Sequence, residues 1–448
     1  MISHQLLTSV AQSVIGKAPE DVVGVSTDSR TPLHNHLFIP LVGERFDAHD
    51  FLHDAISQGA TSVFWQADHP LPEFSEQEVT IYVVEDTLTA LQALATLYRQ
   101  TLSAVAIGIT GSNGKTSTKD LVGAVAKMRG KTHLTKGNFN NHIGLPLTIL
   151  SAPNDTDYLV LEMGMSNFGE IKQLSEIALP DIAVITNIGE SHIEFLQTRA
   201  GIAKAKLEIL AGLKQEGMLF YDGDEPLLNQ SYQVKTRTVG FSDGSSDRIR
   251  VEALTLESTT FLDCTHNQVF TIPLIGQHHA KNAMYAVLVG REIGLTDMAI
   301  QQGFDQLDST GMRFEQEEWQ QHLLINDAYN ASPTSMKAAI KLIQSLSDSR
   351  QKVLVLGDMY ELGEKSEQYH REVGAMIEAP IDFVLTIGQD AKHISHALNV
   401  TRSHVNTIEA AVTVLKQLEQ PSVILFKASR GMHLEEIIDQ LKENKHNS

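Results

Sequence analysis

Cysteine is all but missing, Cys264 being the single one in 448 residues. That excludes a disulfide within the chain and any cysteine-cluster metal site, and it suits a reducing compartment. A small buried hydrophobe is the expected role of the lone thiol. Basic residues are also short, 35 Lys and Arg against 55 Asp and Glu, for a formal charge of −20. This balance argues against a broad electrostatic footprint on nucleic acid or an anionic membrane, so an anionic substrate has to be met by local cations. No apolar run approaches the ~20 residues of a membrane span. Met1 to Gly16 lacks the basic start of a secretory signal. These absences predict a cytoplasmic protein with no nucleic-acid partner and no membrane insertion.

What is present is an ordinary globular composition, 42% hydrophobic and 20% charged, in a chain long enough for two or three cores. Its organising stretch is Gly108 to Thr118, GITGSNGKTST. The apolar run Ala104 to Ile107 before it suits a buried parallel strand. Behind it Leu121, Val122, Val125 and Met128 keep near-helical spacing. Glycines placed where a strand turns into a helix let backbone N–H groups close around an anion. Gly111, Ser112, Asn113 and Gly114 would then cradle phosphates together with Ser117, while Lys115 reaches the outer ones and the Thr116 hydroxyl can ligate Mg²⁺. The pattern is G-x-x-G-x-N-G-K-T, not the general phosphate-loop spacing, since Ile109 stands where that spacing wants glycine. The bland alternative is a glycine-rich connecting turn.

Residues 1–101 mix strand-like runs (Leu37 to Ile39, Ser62 to Trp65, Thr80 to Val84) with turn residues, and they predict a small α/β domain. Within it Ser26 to Arg30 could offer Ser29 and Arg30 to a phosphate or sugar. Phe46 to His49 follows a Gly43 turn. On residue types alone both clusters read first as turns or helix caps. From residue 102 strand, loop and helix alternate, as in a parallel sheet covered by helices. The loop Lys136 to Pro146 is rich in amides, Asn138 and Asn141 among them, which suit a turn or a polar ligand. Glu162 ends the apolar run Asp157 to Leu161, on the edge where such sheets bind ligands, and is the expected Mg²⁺ partner of Thr116.

The strand Ile182 to Ile185 leads to His192, for which metal ligand and structural histidine are equally open readings. Lys204 and Lys206 lie two apart on an expected helix, so at most one faces a site. Residues 217–275 alternate as β-structure does, and Gly276 to Ala286 opens a helix with a polar first turn. After a junction near Gly311, strands near Leu323, Val353, Phe383 and Val423 predict a second doubly wound sheet. Polar stretches follow them at Asp327 to Pro333, Gly357 to Gly363 and Lys427 to Gly431.

Taken together, the phosphate loop, E-M-G at Glu162, N-I-G-x-x-H ending in His192 and A-K-x-E around Lys206 resemble the Mur ligases of bacterial cell-wall synthesis, over nearly the whole chain. The Gly137 to Pro146 loop, Asp327-Ala328-Tyr329-Asn330 and Gly357 to Gly363 resemble the branch that adds D-alanyl-D-alanine to UDP-N-acetylmuramoyl-tripeptide. One departure is His279, where related ligases often carry asparagine. The resemblance implies an α/β chain of three domains. Residues 1–101 would be a UDP-substrate domain, 102–313 a central P-loop ATPase domain with a parallel sheet, and 314–448 a Rossmann-like domain for the amine.

The resemblance further implies ATP-dependent ligation through an acyl phosphate, giving the pentapeptide, ADP and phosphate for peptidoglycan synthesis. Lys115, Glu162, His192 and Lys206 would be catalytic. Two Mg²⁺ would lie on Thr116, Glu162, His192 and a carbamylated Lys206. Asn282, Arg313, Asp327, Tyr329 and Asn330 would surround ATP, with Ser29, Arg30, Asn138, Asn141 and Arg430 on the substrates. A monomer is expected. A ligase of the family's single-amino-acid branch or of the folylpolyglutamate type would share the phosphate loop, Glu162, His192 and Lys206. The former's D-N-P-R signature is absent. A nucleotide-gated binding protein without ligase activity is the reading from another class.

Overall fold

The computed structural model describes residues 1–43, 45–71, 79–307 and 315–443. Arg313 and the Gly311 junction lie outside them. Three sheets organise the described chain. The first has five strands, ordered Ser13–Gly16, Thr80–Val84, Ser62–Gln66, His36–Phe38 and Gly24–Ser26. Only its first pair is antiparallel. The helix Thr87–Thr101 ties this sheet to the next domain. Tyr98 donates its hydroxyl to the Ala152 carbonyl at 2.7 Å, and Arg99 Nε donates to the Ala178 carbonyl at 2.8 Å.

Nine strands form the central sheet. Val105–Thr110 lies between Tyr158–Glu162 and Ile182–Ile185, and all three are parallel. Their side chains are buried almost throughout, as expected for parallel strands covered on both faces. The helix Lys115–Lys127 buries Leu121, Val122 and Val125 on one side of this layer, against the helix Gln277–Glu292. Parallel pairing ends at Asp247–Leu254, after which Thr259–Asp263 and Gln268–Ile272 extend the sheet antiparallel. In Thr259–Asp263 burial alternates residue by residue, the physical basis of the β-like periodicity there.

The third sheet runs Glu315–Trp319, His322–Asn326, Ser422–Lys427, Gln351–Gly357, Phe383–Ile387 and Thr401–Val405. It is parallel apart from the hairpin at its edge. The C-terminal ends of His322–Asn326, Gln351–Gly357 and Ser422–Lys427 lie side by side. Their following loops therefore leave the sheet at one edge, where an open α/β sheet binds ligands.

Candidate active site

The phosphate loop is shaped by its neighbours. Gly111 has φ 152° and Gly114 φ 78°, the latter in the left-handed region that glycine tolerates and side chains rarely do. A Cβ on Gly111 would overlap Thr186 Oγ1, and one on Gly114 would lie 2.8 Å from the Asn282 amide. The loop is also strapped from below. Asn113 N–H donates to Asn187 Oδ1 at 3.0 Å, while Thr186 Oγ1 and Asn187 Nδ2 donate to the Asn113 carbonyl at 2.6 and 2.8 Å. Lys115 begins the helix and its ammonium donates to the Gly111 carbonyl at 2.8 Å. Ser112 and Ser117 are buried beside it.

Among the buried polar atoms at this loop with no hydrogen-bond partner among the described residues are Ser112 Oγ, Asn113 Nδ2 and Asn282 Nδ2. Each can donate. Unsatisfied buried donors cost free energy, and around a glycine-lined helix N-terminus they fit the oxygens of a nucleotide. Thr116 Oγ1 donates to Glu162 Oε2 at 2.7 Å, and Asn140 Nδ2 donates to Glu162 Oε1 at 2.8 Å. A hydroxyl and a carboxylate converging within hydrogen-bond reach are a donor set that fits Mg²⁺. Asn140 was not singled out from the sequence. Its neighbour Asn141 instead uses Oδ1 to accept the Ile143 and Gly144 N–H groups at 3.1 and 2.8 Å, bracing the start of the next helix.

Lys206 lies in the helix Arg199–Leu207 and is 2% exposed, whereas Lys204 is exposed with its ammonium over the Phe168 ring. Of the two lysines it is thus Lys206 that turns inward. Burial, and then the nearby Lys115 charge, push its amine well below the ordinary lysine value. A depressed lysine exposes its nitrogen lone pair at lower pH than a solvated one, which is the state able to add CO₂.

A cleft of about 590 Å³ separates the central and C-terminal domains. Gly137, Asn138, Ser191 and His192 line its central wall. Opposite stand Tyr329 to Ser332, Tyr360 to Leu362 and Ser429 to Gly431, all on loops that follow strands of the third sheet. The walls also touch. Ser332 Oγ donates to Asn113 Oδ1 at 3.2 Å, Thr334 Oγ1 to Glu190 Oε2 at 2.6 Å, and His192 Nδ1 lies 2.6 Å from Glu361 Oε2. The cleft therefore brings together Asn138, His192, Tyr329, Asn330 and Arg430 of the residues expected from sequence.

Other expected residues are engaged locally. Buried Asp327 pairs with buried Lys427 at 2.6 Å, and the same ammonium donates to the Asn330 carbonyl at 3.1 Å. Arg430 Nη1 lies 2.6 Å from Glu435. In the first domain Ser29 is buried, and Arg30 lays its guanidinium on Asp28 through two bonds of 2.8 Å. Those bonds hold the Asp28 carboxyl down to about 2. Asp47, in the Phe46 to His49 cluster, is a cap: it accepts the His49 N–H at the start of the 3₁₀ turn Ala48–Phe51. Its two oxygens also meet His49 Nδ1 and His69 Nε2 at 2.6 and 2.8 Å, and the two imidazoles stack at 4.1 Å.

Known proteins are similar to this chain in sequence and fold. Residues 21–99 match the Mur ligase family catalytic domain, 109–290 the Mur ligase middle domain and 312–430 the Mur ligase glutamate ligase domain. A UDP-N-acetylmuramoyl-tripeptide–D-alanyl-D-alanine ligase of Bacillus subtilis (strain 168) is 47% identical over 94% of this chain and 93% of its own length. A crystal structure of MurF from Acinetobacter baumannii superimposes with a TM-score of 0.89 at 29% identity, covering 98% of both chains. MurF ligase from Thermotoga maritima in complex with ADP does so with a TM-score of 0.84 at 28% identity, covering 99% of both. Matched in all three sheets, and by relatives across nearly its whole length, the chain belongs to the Mur ligase family.

Proposed function

We propose that the chain is an ATP-dependent ligase that joins D-alanyl-D-alanine to UDP-N-acetylmuramoyl-tripeptide, completing the pentapeptide precursor of peptidoglycan. The observation that carries this is a phosphate loop with a carboxylate beside Thr116, tied through Asn113 to Ser332 on the C-terminal wall of a cleft that three loops of the C-terminal sheet line. The relatives bearing that activity in their names match this chain across both walls. In the first step a carboxylate oxygen of the tripeptide bonds to the γ-phosphorus of ATP as the bond to ADP breaks, giving an acyl phosphate. In the second the dipeptide's amine adds to the acyl carbon, phosphate leaves with the C–O electron pair, and the amine gives up a proton. Phosphoryl transfer needs positioning and charge neutralisation more than covalent help, and Lys115 at the helix N-terminus supplies a cation where charge collects.

Thr116 and Glu162 are the residues that would hold Mg²⁺, which neutralises phosphate charge when bound. His192 would hold a second ion with Lys206. Unmodified, an ammonium offers no lone pair to a metal. The buried, depressed Lys206 amine suits conversion to a carbamate, a carboxylate-like ligand. Asn282, Arg313, Asp327, Tyr329 and Asn330 belong around ATP in this reading. Residues 1–101 receive the UDP end near Ser29 and Arg30, 102–313 hold ATP, and 314–448 bring in the dipeptide beside Arg430, with Asn138 and Asn141 toward the muramoyl peptide. The enzyme acts as a monomer in the cytoplasm, where its ATP is supplied.

The test is ADP release with UDP-N-acetylmuramoyl-tripeptide and a panel of amines. Turnover is expected with D-alanyl-D-alanine and not with D-alanine, L-lysine or diaminopimelate. Turnover with a single amino acid and none with the dipeptide would overturn the reading in favour of the single-amino-acid branch.

A further inference from the structure

His192 and Glu361 face each other from different domains, and their contact has a chemical direction. The carboxylate lies 2.6 Å from Nδ1. Two bare lone pairs would repel at that distance, so Nδ1 is the nitrogen that carries a proton against the carboxylate, and in the neutral ring Nε2 then keeps the lone pair. Both residues stand in the left-handed region without being glycine, at φ 65° and 61°. Such backbone costs of order 1–2 kcal/mol per residue and persists where surrounding structure over-determines it. The over-determination is visible: the Glu361 carbonyl also accepts the Glu194 N–H at 3.3 Å, and Leu362 beside it is buried. The contacts Thr334 to Glu190 and Ser332 to Asn113 flank the pair, so the segment 190–194 and the phosphate loop are gripped together by the C-terminal domain.

We infer that Glu361 is a positioning residue for His192: from across the cleft it binds Nδ1 and presents Nε2 to the reacting groups only while the two domains are closed. Metal-ligating histidines are oriented by a carboxylate on their other nitrogen, and removing such a partner costs roughly 10–100-fold. Here the carboxylate belongs to the domain that brings in the amine. The His192 ring is thus set correctly only in the closed enzyme, which couples assembly of the site to arrival of the second domain. The inference rests on the function proposed above.

The experiment uses the full chain labelled with ¹⁵N at histidine, as wild type, Glu361→Gln and Glu361→Ala. Glutamine still accepts from Nδ1–H; alanine cannot. The His192 Nδ1–H tautomer should dominate in the wild type and Glu361→Gln and give way to a mixture in Glu361→Ala. In parallel kcat should fall roughly 10–100-fold in Glu361→Ala, with KM for ATP moving less than about twofold and Glu361→Gln keeping most of its rate. An unchanged tautomer in Glu361→Ala, with only a lower thermal midpoint, would reduce Glu361 to a structural latch and overturn the inference. The tautomer readout needs no turnover, so it stands or falls apart from the identity of the amine.

Discussion

Thr116 Oγ1 and Glu162 Oε2 lie 2.7 Å apart although 46 positions separate them. One opens the helix behind the phosphate loop and the other closes the neighbouring strand, so the parallel pairing of Val105–Thr110 with Tyr158–Glu162 places them at one sheet edge. Asn140 holds the second Glu162 oxygen, and the Glu162 N–H donates to Thr135 Oγ1 at 3.0 Å. The carboxylate is therefore oriented before any ligand arrives, which is the condition for electrostatic stabilisation without reorganisation.

Glu162→Gln keeps the shape of this group, removes its charge and turns one of its two accepting oxygens into a donor. ADP release should fall roughly 10²–10³-fold, and the Mg²⁺ concentration needed for half-maximal rate should rise. Circular dichroism should show the fold retained. Wild-type rates at low Mg²⁺ in this variant would remove Glu162 from the ion's donor set.

Gly114→Ala combines two penalties, a left-handed φ worth about 1–2 kcal/mol and a Cβ directed at the Asn282 amide. Affinity for ADP, followed by calorimetry, should weaken at least about tenfold, the equivalent of 1.4 kcal/mol. Gly137 is also at positive φ, but a Cβ added there would meet nothing within 4 Å. Gly137→Ala therefore carries the backbone cost alone and serves as the control, with ADP affinity close to wild type.

Lys206→Ala should be nearly inactive, and small carboxylic acids should restore part of the rate by refilling the position of a carbamate. Buried amines readily lose their proton, so the carbamate should form at neutral pH and should appear as a carbonyl signal with ¹³CO₂. Full activity in the unrescued variant would leave Lys206 as a packing residue.

The phosphate loop was legible because its chemistry is local: glycines, lysine and threonine act within one strand-to-helix turn. Helical spacing showed that only one of Lys204 and Lys206 could face inward, but tertiary packing was needed to choose Lys206. The amide loop marked a polar surface without telling which amide points where. Asn140 reaches Glu162 while Asn141 braces a helix, a difference set by loop backbone alone. Glu361 belongs to the polar stretch Gly357 to Gly363, yet nothing in that stretch pointed to His192, since a contact across two domains leaves no spacing to read. The cluster Phe46 to His49 read first as a turn or helix cap, and the Asp47 bond to the His49 N–H is such a cap.

That cap also makes a pH-dependent staple, testable apart from catalysis. Asp47 carries the helix-cap bond and both imidazole contacts. Burial raises its pKa, but the His49 and His69 hydrogen bonds outweigh it and bring it down to about 2 from an ordinary 3.8. His69 moves the other way, raised above 6.5 by its bonds to Asp47 and then Asp68. The Asp47 contribution is present above the ordinary carboxylate value and lost as pH falls toward 2. The His69 contribution is complete below 6.5 and lost as pH climbs through its raised value. His49 is depressed by burial, so it costs stability on acidification, and the Asp47 charge softens that cost. Asparagine caps about as well as aspartate, so Asp47→Asn isolates the charge. The stability gap between wild type and Asp47→Asn should be widest at about pH 4–6.5 and shrink on both sides. Hydrogen-exchange protection of the His49 amide, corrected for intrinsic rate, measures it locally. A gap that stays constant with pH, or widens toward alkaline pH, would show that Asp47 acts only as a neutral cap.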